Sequence, residues 1–269
     1  MNRIEKLFRE KHGNILSIYF TAGHPQTGST ASVIRALAAA GADMIEIGIP
    51  FSDPMADGPV IQKSSERALK QGMTLSLLFR QLEDIRSDVK IPLLLMGYLN
   101  PVMQYGWERF CSDCRKAGID GTILPDLPFD IFEGDPSVLG GLTGSEPIAS
   151  LYEKSGLANI YLVSPQTSDD RVRQIDRASR GFIYMVSASS TTGIRKGFSD
   201  DQKAYFERIR SMKLKHPCLI GFGIAGHEEY VTACSYSAGA IVGSAFVRML
   251  EDEGESGIAG FVRRLREGK

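Results

Sequence analysis

No stretch of this sequence approaches the roughly 18 consecutive apolar residues that a membrane-spanning helix needs. Its N-terminus is charged from Arg3 onward, unlike a secretory leader, so a cytoplasmic protein is expected. An excess of charge of one sign is also missing. Lys and Arg total 31 against 32 Asp and Glu, which leaves no electrostatic case for nucleic acid or an anionic membrane as a partner. Cysteine is scarce: four in 269 residues are too few for a disulfide framework in a chain this long. Cys111 and Cys114 have the spacing of a redox or zinc pair. They also complete an apolar stripe with Trp107 and Phe110 at helical period, with no second Cys or His pair nearby, so packing is the expected role and no metal site is predicted. The four histidines have no acid or nucleophile at triad spacing. Only His24 falls at a strand end within reach of a substrate, while His12, His216 and His227 read as surface or turn residues.

What is present is a regular alternation. Apolar, β-branched runs at 15–22, 44–50, 92–99, 121–127, 159–164, 182–188, 218–223 and 240–246 read as strands buried on both faces, as a parallel sheet requires. Between them lie segments of helical period. Val33, Leu37 and Ala40 share a face ahead of Gly41, and Leu75, Leu78, Leu82 and Ile85 form a stripe. Ser168 and Ser199 each precede two aspartates and an amphipathic stretch, as N-caps do, and Ile258, Phe261, Val262 and Leu265 mark a closing helix. Ile4, Leu7 and Phe8 suggest a further helix before the first strand. Eight βα units without a linker-like break favour one domain over residues 1–269, a (β/α)8 TIM barrel with an extra N-terminal helix, rather than two doubly wound halves. The weakest segment is 133–150, rich in Gly and Pro, where a fourth-unit helix can be placed only around 148–155.

In such a barrel the active site lies at the C-terminal ends of the strands. On the second strand, Ile45, Ile47 and Ile49 suit the helix layer, which turns Met44, Glu46 and Gly48 inward. A lone interior carboxyl group has its pKa raised by desolvation, as acid–base work near neutral pH requires. No strand supplies an obvious Arg or Lys partner, so Glu46 is a catalytic candidate. The next ten residues, Pro50-Phe51-Ser52-Asp53-Pro54-Met55-Ala56-Asp57-Gly58-Pro59, hold three prolines and two aspartates and form a stiffened loop over the mouth. Asp57 either caps the following helix or returns to face Glu46; spacing alone leaves both open.

Glycines mark the other side of the mouth. Gly221-Phe222-Gly223-Ile224 ends the seventh strand and Gly243-Ser244-Ala245 the eighth, where this fold often binds phosphate on backbone N–H groups and a helix N-terminus. Gly193, in the long polar loop 187–198 with Arg195 and Lys196, is a further donor candidate. That loop is either a lid that excludes water or an ordinary surface loop.

The run Glu46-x-Gly48-x-Pro50-Phe51-Ser52-Asp53-Pro54-x-Ala56-Asp57-Gly58-Pro59-x-Ile61-Gln62 resembles the signature of tryptophan synthase alpha subunits. The segments Phe20-Thr21-Ala22-Gly23-His24-Pro25, Met96-Gly97-Tyr98-Leu99-Asn100-Pro101, Pro125-Asp126-Leu127-Pro128 and Thr192-Gly193 extend the resemblance over nearly the whole chain. It implies a lyase that splits indole-3-glycerol phosphate by retro-aldol cleavage, with Glu46 as general acid–base and Asp57 as the second catalytic carboxylate. It further implies phosphate donors at Gly193, Gly223, Gly243 and Ser244, an active-site tyrosine at Tyr184, and an indole pocket lined by Leu99, Leu127 and Phe222. Asp53 matches a residue that communicates with a partner. That partner is the beta subunit, in an alpha–beta–beta–alpha complex; it holds pyridoxal phosphate (PLP), and no cofactor is expected in this chain. Three features depart from the family pattern: His24 replaces an acidic residue found in some members, Tyr19 stands where a smaller or Phe-like pocket residue is expected, and 133–150 replaces a regular fourth helix. Another phosphate-binding barrel of aromatic amino-acid biosynthesis would share the glycines but lack the Pro-Phe-Ser-Asp loop, and a silent regulatory subunit would have no use for Glu46 and Asp57.

Overall fold

The computed structural model describes residues 2–134, 146–187 and 197–269. Among these residues nine strand segments are present: β1 (Ile15–Thr21), β2 (Met44–Gly48), β3 (Leu93–Met96), β4 (Gly121–Ile123), β5 (Ala158–Asn159), β6 (Tyr161–Val163), β7 (Ile183–Val186), β8 (Cys218–Gly221) and β9 (Gly239–Val242). All pair in parallel, in the order β5-β4-β3-β2-β1-β9-β8-β7-β6. The two ends of that order are consecutive in the chain. Ala158 and Asn159 pair with β4, residues 161–163 pair with β7, and Ile160 N–H donates to Thr122 O at 2.9 Å. The fifth predicted strand is therefore one stretch interrupted at Ile160, and it closes the barrel.

The strands are shorter than their apolar runs. In the last, residues 240–246 read as strand, but the chain leaves the sheet after Val242 and Ser244 already begins the helix Ser244–Glu253. An apolar run cannot distinguish a buried strand from the buried first turn that follows it, and Phe246 and Val247 are buried helix residues.

Strand alternation creates two cores. Residues such as Ile45, Ile47, Leu93, Leu95, Ile183 and Ile220 pack outward against the helices, while Met44, Leu94, Met96, Tyr184, Leu219 and Ile241 fill the barrel. The N-terminal helix Arg3–Glu10 closes the far end. Asn2 and Glu5 form a reciprocal capping box, and Ile4, Leu7 and Phe8 join the interior cluster, with the Phe8 and Phe182 rings 5.9 Å apart. Ser168 and Ser199 accept the N-cap bonds expected of them, and Gly41 adopts φ +92° just past the helix Thr30–Ala39. Cys111 and Cys114 are buried on the helix Trp107–Ala117, and burial pushes the Cys111 thiol up to about 12, so they pack as expected. The fourth-unit helix is Ile148–Ser155, after a short turn of helix at Phe129–Glu133; residues 135–145 lie outside the described residues.

Candidate active site

Glu46 is fully buried and points to the barrel axis beside β1. Ser17 Oγ on β1 donates to Glu46 Oε1 at 2.8 Å, and Oε2 has no hydrogen-bond partner among the described residues. A carboxylate without water is costly. Burial pushes Glu46 up to about 8, with the Ser17 hydrogen bond pulling the other way. At neutral pH the group holds a proton.

Asp57 does not cap the following helix. The N-cap of Pro59–Lys70 is Gly58, and the Asp57 carboxyl turns inward. The loop is fixed from both sides: Asp57 N–H donates to Pro54 O at 3.0 Å, and Gln62 Nε2 donates to Asp57 O at 2.8 Å. Tyr98 donates its hydroxyl to Asp57 Oδ2 at 3.0 Å and accepts Ala56 N–H at 3.0 Å. Burial pushes Asp57 up to about 6, against the Tyr98 bond. Tyr19 and Tyr184 are buried tyrosines whose hydroxyls are held protonated, first by burial and then by the charge of Asp57, joined by that of Glu46 once it ionises. The two carboxyl groups thus share one neighbourhood, framed by two phenols. The capping alternative is thus set aside, and Asp57 shares with Glu46 the surroundings of Tyr19 and Tyr184.

The tyrosines fit because glycines make room for them. A methyl group on Gly48 would sit 2.2 Å from the Tyr19 hydroxyl, and one on Gly221 2.2 Å from that of Tyr184. Each ring leans across to the neighbouring strand, two positions further along.

On the glycine side, Phe222 and Gly223 adopt consecutive left-handed conformations, φ +70° and +75°. Ser187 Oγ donates to Phe222 O at 2.7 Å, and the Phe222 ring lies 6.2 Å from Tyr184, edge-on. Gly243 precedes the helix Ser244–Glu253, whose first turn receives no side-chain cap. With no cap from that glycine, the helix's first-turn N–H groups and dipole favour an anion. The helix His227–Tyr236 is different: its own Glu229 accepts Gly226 N–H at 3.0 Å and Gly197 N–H at 3.0 Å. Gly193 and the loop that carries it, 188–196, lie outside the described residues.

Leu99 and Leu127 pack with the helix-layer cluster rather than with the interior one. Leu99 opens the helix Leu99–Tyr105, with its N–H on the Asp126 carboxylate. Asp53 is exposed at the loop tip, where Ser52 donates to it, next to Met55, which is 88% exposed. His24 is buried with neither ring nitrogen paired among the described residues, and burial lowers its pKa. Among the described residues no group of three His, Cys, Asp or Glu is placed to hold a metal, and no helix is long and apolar enough to cross a membrane. Sequence reasoning assigned no role to Ser17 or Tyr98. For Ser17 the available signal was a hydroxyl at an inward position of β1; Tyr98 follows β3, where mouth residues are expected.

Residues 5–267 match the profile of the family described as tryptophan synthase alpha chain. The chain is 50% identical to the tryptophan synthase alpha chain of Christiangramia forsetii over 99% of both chains, and 53% identical to that of Phocaeicola vulgatus over 94% of this chain and 93% of that one. Among solved structures it is similar to a Legionella pneumophila tryptophan synthase alpha chain at 33% identity, TM-score 0.82, covering 99% of this chain and 97% of that one. A Mycobacterium tuberculosis tryptophan synthase chain, in an aminoacrylate-bound form, matches at 28% identity and TM-score 0.81, covering 98% of both.

Proposed function

The chain belongs to the tryptophan synthase alpha chain family, and from that premise we propose that Glu46 and Asp57 are the two groups with which it performs the family's reaction. The protein is a carbon–carbon lyase of tryptophan biosynthesis: it cleaves indole-3-glycerol phosphate to indole and glyceraldehyde-3-phosphate. The observation that carries the assignment is two buried carboxyl groups in one mouth, Glu46 held by Ser17 and Asp57 by Tyr98, with burial pushing Glu46 up to about 8 and Asp57 up to about 6. At neutral pH one is an acid and the other an anion, and the reaction needs one of each.

Protonated Glu46 gives its proton to indole C3, which turns the ring into a cation and a leaving group. The bond from C3 to the carbinol carbon then breaks, and its electron pair returns to the ring. As the carbinol oxygen becomes the aldehyde oxygen, its proton passes to the Glu46 carboxylate, which restores the starting acid. Ionised Asp57 stabilises the positive charge through the ring N–H. Burial around both groups strengthens these interactions. The phosphate rests on the backbone N–H groups of Gly223, Gly243 and Ser244, with Gly193 as a further donor, and the indole lies against Phe222 and Tyr184 of the interior cluster; Leu99 and Leu127 pack in the helix layer and are not part of this lining. Each step uses only groups of this chain, so no cofactor is required of it.

The exposed loop tip with Asp53 and Met55 is the surface on which a beta subunit reads the state of Asp57 four residues away, within an alpha2–beta2 assembly whose PLP belongs to the beta subunit. The reading includes a cytoplasmic location and a single domain over residues 1–269. Indole release from indole-3-glycerol phosphate by the purified chain, with and without a beta subunit, tests it. Slow cleavage that rises strongly with the partner and is abolished by Glu46→Gln is the expected result. Cleavage that survives Glu46→Gln removes the assignment of the acid.

A further inference from the structure

We propose that the Tyr19 hydroxyl is a third polar group of the active site, which binds a hydroxyl of the substrate's glycerol chain between the phosphate cradle and the two carboxyl groups. This rests on the substrate assignment above, and it starts from where the ring lies. A methyl group on Gly243, at the phosphate end, would sit 3.4 Å from Tyr19 Cδ1; one on Gly48, two residues beyond Glu46 on the same strand face, would sit 2.2 Å from the Tyr19 hydroxyl. The ring therefore spans the floor from β9 across β1 to β2, with its oxygen at the carboxyl end. A molecule that joins a phosphate to an indole by a glycerol chain must pass over it.

The hydroxyl has a built-in polarity. Ser64 Oγ donates its proton to Ile61 O at 2.8 Å, so across the 2.6 Å contact between Thr21 and Ser64 the proton comes from Thr21 Oγ1. Thr21 then has no proton left for Tyr19, whose hydroxyl stands 3.5 Å away. The hydroxyl neighbour of the phenol among the described residues is thus an acceptor, at a long 3.5 Å, which leaves the Tyr19 lone pairs without a donor from it. They accept from an O–H donor. The glycerol chain supplies such donors next to the bond that breaks. Burial and the charge of Asp57 keep the phenol protonated. A phenylalanine fills the same space and lacks this acceptor.

The test compares wild type with Tyr19→Phe on the substrate and on a deoxy analogue that keeps the indole ring and the phosphate but lacks both glycerol hydroxyls. Loss of one hydrogen bond to substrate predicts kcat/KM for cleavage lowered about tenfold, with the inhibition constant of the deoxy analogue unchanged. Thr21→Val, which frees the phenol proton from its chain, lowers kcat/KM in the same direction by a smaller factor. An unchanged kcat/KM in Tyr19→Phe overturns the proposal, and so does equal weakening of substrate and deoxy analogue, which marks a packing role. If the wild-type protein itself releases no indole, the functional assignment fails before Tyr19 is tested.

Discussion

Tyr98 reaches across from the start of the helix Leu99–Tyr105 to hold Asp57, donating to Oδ2 at 3.0 Å while Ala56 N–H donates back to its oxygen at 3.0 Å. One phenol thus fixes both the backbone of the loop and the charge of its carboxylate. The donated bond favours ionised Asp57 and opposes the effect of burial. Tyr98→Phe removes it and moves Asp57 further up from about 6. Since the reaction uses Asp57 as an anion, the acid limb of the kcat/KM profile should move to higher pH. Activity near pH 7 should fall several-fold and recover partly as pH rises. A profile whose acid limb stays in place would break the link between Tyr98 and Asp57.

The alkaline limb belongs to Glu46. Cleavage needs its proton, so kcat/KM of the wild-type chain should decline as pH rises through about 8 and as it falls through about 6, a bell with its top between. Ser17→Ala deletes the hydrogen bond that, among the described residues, favours ionised Glu46. Its alkaline limb should therefore move up while its acid limb remains. An alkaline limb that stays in place or moves down would break the link between Ser17 and Glu46.

Stability should carry the same signature with a known sign. Glu46 titrates near 8 in the folded chain against 4.5 as its ordinary value, so between those values the folded state holds a proton that the unfolded state has lost. Wild-type stability then falls as pH rises across that window and is flat with respect to Glu46 above it. Asp57 acts in the same direction between 3.8 and about 6, but equally in both proteins. Glu46→Gln, which cannot ionise, should be more stable than wild type by an amount that grows from pH 5 to pH 8. The slope at its steepest is about 1.4 kcal/mol per pH unit, for a gain of a few kcal/mol. Thermal melts of the two proteins across pH check this; parallel curves would mean that Glu46 is not the desolvated group described here.

The parts of this protein legible in its sequence are those that depend on local pattern. Glu46 was visible because Ile45 and Ile47 on β2, with Ile49 just beyond it, fix the outward face and leave only one direction for it. Gly41, Ser168 and Ser199 were visible because helix ends have their own chemistry. Asp57 was half visible: spacing placed it over the mouth, but its carboxyl is committed by Tyr98, 41 residues away. Ser17 and Tyr19 owe their roles to the register of β1 against β2, where Tyr19 pairs with Glu46, and register is set by the closed barrel rather than by either strand. The end of β9 was placed too far along because Phe246 is as apolar in a buried helix turn as in a strand.

The pairing of tyrosine with glycine gives a last expectation. The side-chain-free face of Gly48 is occupied by the Tyr19 ring, with the hydroxyl, Cζ and Cε2 at 2.2, 2.6 and 2.8 Å from where a methyl group would stand. That ring is buried on β1 and has no alternative space, so Gly48→Ala should overpack the interior, cost about 1–3 kcal/mol and lower cleavage sharply by tilting the phenol away from Glu46. Gly28, with nothing within 4 Å of a methyl group, is the control, and Gly28→Ala should stay within about 0.5 kcal/mol of wild type. Adding Tyr19→Ala to Gly48→Ala should recover most of the Gly48→Ala penalty, because the clash needs both groups. Denaturant melts of the two singles and the double measure this coupling. Additive costs would place the ring somewhere other than over Gly48, and with it the hydroxyl that the carboxyl end of the site depends on.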